Sequence, residues 1–388
     1  MPTNTSAPLR VSVRPEILRW ACERSGKKKT DIVKRFPGFP AWERGEKQPT
    51  LKQLESFAKT TYAPIGFLFL KEPPQEEIPI PDFRTIADKP VGQPSANLLD
   101  TLYLCQQRQA WYREFASMEG EERPEYVGSI SQTDDIESTA ARMREQVGFD
   151  LEERRRLSTW IEALRQFIQQ VDTAGVLVMV SGVVGSNNRR KLDPEEFRGF
   201  ALVDDLAPLI FINGAETKAA QMFTLAHELV HVWLGQSALS DSSARTVPSH
   251  KIESWCNQVA AEFLVPLTLV QKHYKPRAEL RDQLDGLARR FKVSKLVILR
   301  RIRDVGALNS KVYWAAYEDE VSRLRSLPAS SGGNFYLTLN ARVSKRFAYS
   351  IVMSTLEGRS SYTEALRLLS MKNLATFEKL SSNLGMGV

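Results

Sequence analysis

The run Thr224-Leu-Ala-His-Glu-Leu-Val-His-Val-Trp-Leu-Gly235 holds two of the 4 histidines in this 388-residue chain, four positions apart with a glutamate between them. Residues four apart share one face of a helix, with Cβ atoms about 5–6 Å from each other, so the His227 and His231 imidazoles can converge on one ion. Ala219, Ala220, Leu225, Ala226, Leu229, Val230 and Trp233 supply an apolar side for that helix, and Gly235 supplies its stop. The pattern H-E-x-x-H predicts a buried helix carrying two metal ligands, with Glu228 beside the ion as a base and not as a ligand. It also demands a partner element. A catalytic zinc takes three protein ligands and leaves its fourth position to water.

The next helical pattern, about Ile252–Leu264 and ending at Pro266, offers Glu253 as the third ligand. Trp255, Val259, Phe263 and Leu264 form its apolar side, while Glu253 and Asn257 share a face at i,i+4. His250, one turn earlier, is the rival third ligand. Asn257 reads either as a group orienting a ligand or as a helix-surface amide. His273, beside Tyr274, reads either as an oxyanion stabiliser or as a solvent-facing histidine. Cys256 reads as a small buried residue.

The wider composition narrows the setting. With 42% hydrophobic and 26% charged residues the chain is of ordinary globular type. No apolar run approaches the length of a membrane span, and Met1–Pro8 lacks the features of a secretory signal. Cys22, Cys105 and Cys256 are scattered, without a C-x-x-C, and read as reduced thiols of a cytoplasmic protein. The net charge of +7 is compatible with nucleic acid as a partner. It is spread, however, over separate clusters such as Lys27–Lys29, Arg154–Arg156 and Arg189–Lys191, each of which reads as a solvated face.

Along the chain, 1–71 reads as a module of short helices: Pro15–Arg24, Ile32–Phe36 capped by Thr30-Asp31, and Leu51–Thr60 capped by Thr50. Residues 72–93 are a Pro-rich linker. Residues 94–275 read as the catalytic domain with leading helices over 94–118, 133–148 and Ser158–Val171. Strands follow at Val176–Val180, Phe200–Val203 and Pro208–Asn213, the last expected at the sheet edge beside the metal helix. Residues 276–328 read as a helical segment joined near Val293-Ser294, and 329–388 as an α/β tail with a strand at Phe335–Leu339. The expected fold is α+β, with a small catalytic domain built on a few-stranded sheet.

These motifs resemble the ImmA/IrrE family of metallo-endopeptidases. The resemblance rests on Ile212-Asn213, on Phe223–His231, and on Glu253 with Cys256-Asn257, Ala260 and Pro266, Cys256 standing where the family usually has alanine. It implies a zincin-like domain over about residues 170–305, zinc held by His227, His231 and Glu253, and Glu228 as general base. It places Asn257 and Asn213 as candidates for the surrounding or substrate-binding shell. It further implies a protein substrate, an Xre-type repressor of stress or mobile-element genes. The alternative is an antitoxin-like partner of a cognate toxin, with little or no protease activity.

Residues 41–58, with Trp42-Glu43-Arg-Gly45 and Pro49-Thr50, resemble the closing half of an Xre-type helix-turn-helix. Pro37, Gly38 and Pro40 leave little room for a recognition helix there, so DNA binding from this module is expected to be weak and without sequence preference. Leu287–Ile302 also has helix-turn-helix spacing, with arginines able to meet phosphate, or equally a packing unit with a charged exterior. A third reading, a DNA-binding transcription factor, rests on these features alone.

Overall fold

In a computed structural model of the chain the described residues are 9–82, 94–240, 251–326 and 342–387. They form two compact units: Leu9–Pro79 with Pro94–Asp100, and Ile80–Asp82 with everything described from Thr101 onward.

The first unit contains α1 (Pro15–Arg24), α2 (Lys29–Arg35), α3 (Phe39–Glu43) and α4 (Leu51–Thr61), followed by a 3-10 turn at Ile65–Phe69. Thr50 caps α4 as the sequence suggested, in a reciprocal capping box with Gln53. The cap expected for α2 is corrected. That helix begins at Lys29, so Thr30 and Asp31 lie inside its first turn, where Asp31 faces the positive end of the helix dipole. α3 has five residues, with Pro40 in its first turn. Its aromatic residues point inward: Phe39 stacks on Phe57 at 5.6 Å, and Phe36 and Trp42 meet Phe57 edge-on at 5.7 and 6.5 Å. The start of the Pro-rich stretch is anchored here too. Arg24, almost fully buried, donates to both carboxylate oxygens of Glu76, to Asp100 and to the Tyr62 carbonyl.

The second unit is mixed α+β around a small four-stranded sheet. α5 (Ala96–Glu119), α6 (Ile136–Val147), α7 (Leu151–Arg156) and α8 (Trp160–Thr173) lead into it. β1 (Leu177–Ser181) pairs in parallel with β3 (Leu209–Asn213); β2 (Gly199–Leu202) runs antiparallel to both β3 and β4 (Ala238–Ser240). Every strand residue is buried, which is why the strands read as continuous apolar runs. The strand order β1-β3-β2-β4 corrects one expectation: β3 is internal, and the two edges are β1, beside β3, and β4, beside β2. At three residues β4 is too short to show a period. Its outer edge is already engaged, since the Leu239 N–H donates to the Pro81 carbonyl at 2.9 Å, and Asp82 bridges Leu239.

The motif helix α9 (Lys218–Leu234) packs on the sheet, on α8 and on α10 (Lys251–Leu264). After it come α11 (Leu267–His273), α12 (Leu280–Phe291), α13 (Lys295–Asp304) and α14 (Ser310–Ser326). α12 and α13 meet at Val293-Ser294, and Ser294 caps α13. Two of their arginines are engaged within the unit: Arg301 is buried against Glu262, and Arg303 lies over the Tyr313 ring at 4.5 Å. The C-terminal part contains α15 (Lys345–Leu356), α16 (Tyr362–Leu368) and α17 (Leu374–Asn383); the strand expected at Phe335–Leu339 lies outside the described residues. Among the described residues no helix is long and apolar enough to cross a membrane.

Phe57→Ala should lower the stability of the first unit by about 3–5 kcal/mol, the usual cost of removing a buried aromatic ring. Urea unfolding followed by far-ultraviolet circular dichroism measures it; a loss below about 1 kcal/mol would show that the aromatic cluster does not hold α1–α4 together.

Candidate metal centre

Thr217 caps the start of α9, accepting from Ala220 N, and Gly235 ends it in the left-handed conformation at φ 72°. Between these ends every residue from Thr224 to Leu234 is buried. His227 and His231 therefore face inward, one turn apart, with their Nε2 atoms 3.2 Å from each other. α10 brings Glu253 to the same point. One carboxylate oxygen lies 3.1 Å from His227 Nε2 and the other 3.1 Å from His231 Nε2. Zinc bonds of about 2.0–2.2 Å in a tetrahedron set donor atoms roughly 3.3 Å apart, so this trio has the spacing of a shared ion. Two imidazoles and one carboxylate also form a donor set that zinc favours. The cluster could hold a metal as it stands.

The electrostatics are those of a tight buried group. Burial alone would raise the Glu253 carboxyl, but the adjacent His227 and His231 outweigh it and hold it well below the usual carboxylate range. Burial likewise pulls His227 down, and the attraction of Glu253 more than reverses this. His231 stays below its ordinary value, chiefly through burial. Glu228 is fully buried and is pushed up to about 8, mainly by burial and then by negative Glu253, against the opposing effects of His227 and the Ser240 hydroxyl. Neither of its carboxylate oxygens makes a hydrogen bond of ordinary geometry.

The other candidates separate. Asn257 interacts with His227 and lines a cleft of about 330 Å³ whose wall also includes Phe223, a close neighbour of the His227 ring. Asn213 holds the local backbone. Its amide donates to the Phe197 carbonyl and accepts from Ala215 N, which closes the turn between β3 and α9. His273 ends α11, with Arg290, Lys272, Glu152 and Arg155 as its charged neighbours. The Cys256 thiol, held far up by burial, is a packing residue. His250 lies outside the described residues.

One residue escaped the sequence reading. Gly199 on β2 passes so close to α9 that a Cβ there would lie 2.7 Å from Thr224 Cγ2, 2.9 Å from the Phe211 carbonyl and 3.1 Å from Glu228 Oε1. A glycine at the start of an apolar strand is the signal of such an approach, and it went unused.

Comparison with known proteins agrees with this geometry. Residues 171–303 match the family model of the IrrE N-terminal-like domain (Peptidase_M78), which supports the ImmA/IrrE family and a metallopeptidase-like function for this segment. Residues 343–383 match the model of a domain of unknown function (DUF8813). A search of curated proteins finds no match.

Gly199→Ala should displace Glu228 or Thr224 and cost about 1–3 kcal/mol, the range for overpacking a close contact. Thermal unfolding of the two proteins side by side checks it; an unchanged melting temperature would mean that β2 and α9 separate freely.

Proposed function

We propose that this chain is a zinc-dependent endopeptidase that hydrolyses a peptide bond in a regulatory protein. The observation that carries the reading is Glu228: a buried carboxylate without a hydrogen-bond partner, beside three converging donors and not one of them. A purely structural metal site has no use for such a group, and leaving it there is costly. Zinc held by His227, His231 and Glu253 would acidify a water and polarise the scissile carbonyl. Glu228 would take a proton from a water in the site on its carboxylate and deliver it to the departing amide nitrogen. Asn257 steadies His227, as groups around a ligand do.

The substrate is an extended segment that adds to the sheet at β4, the strand whose Ser240 lies near Glu228. The Leu239 N–H already bonds Pro81, so an incoming strand replaces Pro81–Asp82. By the family resemblance the target is an Xre-type repressor whose cleavage releases stress or mobile-element genes in the cytoplasm. DNA binding by the first unit, where α3 turns its aromatics inward, comes only from scattered Lys and Arg on phosphates and falls steeply with salt. A second reading, a regulatory antitoxin-like partner of a toxin, is favoured by one observation: His227, Glu228 and His231 have no exposed surface at all.

Glu228→Gln should retain zinc while peptide hydrolysis falls about 10²–10⁴-fold, the usual weight of a general base. Used as bait, the same variant should hold a repressor; retrieval of a toxin without any cleavage by the wild type would establish the second reading instead. Glu253→Ala should lose zinc by metal analysis of the purified protein, and full occupancy in that variant would remove Glu253 from the ligand set. Replacing Ile80-Pro81-Asp82 by glycine and serine should raise kcat/KM on an identified substrate; no change would count against strand addition at β4.

A further inference from the structure

We propose that the cavity enclosed by α5, one end of β1 and β3, and the α16–α17 connection binds a small organic anion through the Arg108 guanidinium. The cavity measures about 290 Å³, at the small end of ligand pockets. Arg108 projects into it from α5 and is 4% exposed. All of its partners are neutral: Nε donates to the Leu368 carbonyl at 2.8 Å, Nη2 to Ser370 Oγ at 3.2 Å, and Nη1 approaches the Met179 sulfur at 3.3 Å and the Arg342 carbonyl at 3.5 Å. Arg342 and Lys372 also line the cavity, and among the described residues its lining contains no acidic side chain. Among the described residues none of the three cations forms an ion pair. Cys105 beside Arg108 offers no counter-charge, because burial holds its thiol up at about 12.

Burying a guanidinium without a counter-charge is expensive unless something else supplies the negative charge. The other fully buried arginines of this unit have internal reasons for their place. Arg301 pairs with Glu262, and Arg154 caps the last carbonyls of α12 while lying over the Phe149 ring. Arg108 alone of these three faces an open cavity. Polar groups suited to an anion surround it: Ser186, Asn188 and Ser370 line the wall, and α17 begins at its rim with Asn373. Ser370 is held at φ 55°, a left-handed conformation unusual for a residue with a side chain, and this places its hydroxyl on Arg108. Gly185 opposite leaves the room, since a Cβ there would lie 3.2 Å from Ser370 Oγ. The pocket joins the peptidase-like segment to the matched domain of unknown function, whose residues Leu369–Asn373 and Thr376 form one side of it. The ligand class is a small molecule with a carboxylate or phosphate head, which a guanidinium binds with paired hydrogen bonds.

Isothermal titration of the full chain with inorganic phosphate, acetate and succinate, in a low-chloride buffer, tests this. Saturable binding by the wild type is expected, and the arm that binds identifies the head group. Arg108→Met keeps an unbranched side chain and removes the charge, so affinity should fall at least about tenfold. Lys372→Ala changes an exposed residue at the rim and should weaken binding severalfold without altering the melting temperature. Absence of saturable binding for all three probes would overturn the proposal. So would equal affinity in the wild type and Lys372→Ala, which decides the matter even if Arg108→Met fails to fold.

Discussion

Four ionisable side chains buried at the contact of α9 and α10 are the constraint around which the larger unit is organised. His227, Glu228 and His231 have no exposed surface, and Glu253 has almost none. Such a group survives burial only when it is paired or coordinated. The histidines and Glu253 stabilise one another through close contacts of 3.1–3.2 Å, and a shared cation would complete them. That geometry is strict, so both helices must be held from every side. The all-buried sheet, α8 and α6 supply that hold, with Phe149, Phe167 and Phe263 packed together at centroid distances of 4.6–5.4 Å behind α10.

The sheet contributes position as well as core. β2 lies between β3 and β4, and its first residue, Gly199, lets the strand pass within contact distance of Glu228. Gly199 pairs with Ile212 on one side and Ser240 on the other. The same register therefore sets where β3 hands over to α9, through Asn213, and how near Ser240 comes to Glu228. A shift of one residue would reverse every side chain of β2 and put Phe200 where only glycine fits.

Much of this was legible before the structure. Four-residue spacing, an apolar flank and a terminal glycine are local signals, and α9 carries all of them from Thr217 to Gly235. Glu253 was legible as an acidic residue in the first turn of an amphipathic helix that ends at a proline. The capping pairs at Thr50 and Asn213's place at the end of a strand were equally local, although the task of Asn213 was not. What stayed hidden is non-local. Strand order depends on which apolar runs pair, and nothing in Leu209–Asn213 says whether it lies inside the sheet or at its edge. β4 is too short to show alternation. Gly199 needs the neighbouring helix before its missing side chain acquires meaning. Arg108 on α5 reads as one charge on a long helix until Leu368 and Ser370, 260 and 262 positions away, close over it.

The basic composition changes meaning in the same way. Arg154, in a cluster that read as a solvated face, is engaged inside the unit, and two further arginines converge on one end of α10. Arg144 donates to the carbonyls of Glu262 and Phe263, while Arg301 donates to the Val265 carbonyl and pairs with the Glu262 carboxylate. The first two carbonyls belong to the last turn of the helix and the Val265 carbonyl follows directly, where partners within the helix run out and the negative end of its dipole is where cations stabilise most. Glu262 in turn accepts from Leu267 N and so fixes the turn into α11 at Pro266. At the opposite end of α10, in its first turn, stands Glu253. A helix clamped at its C-terminus by two guanidinium groups cannot slide along its axis, and one residue of slide is about 1.5 Å. That displacement would exceed the tolerance of a carboxylate that must meet two imidazole nitrogens at once. Arg301, which in the sequence looks like a contact for phosphate, thus acts with Arg144 as the fixed point from which Glu253 is aimed at the two histidines.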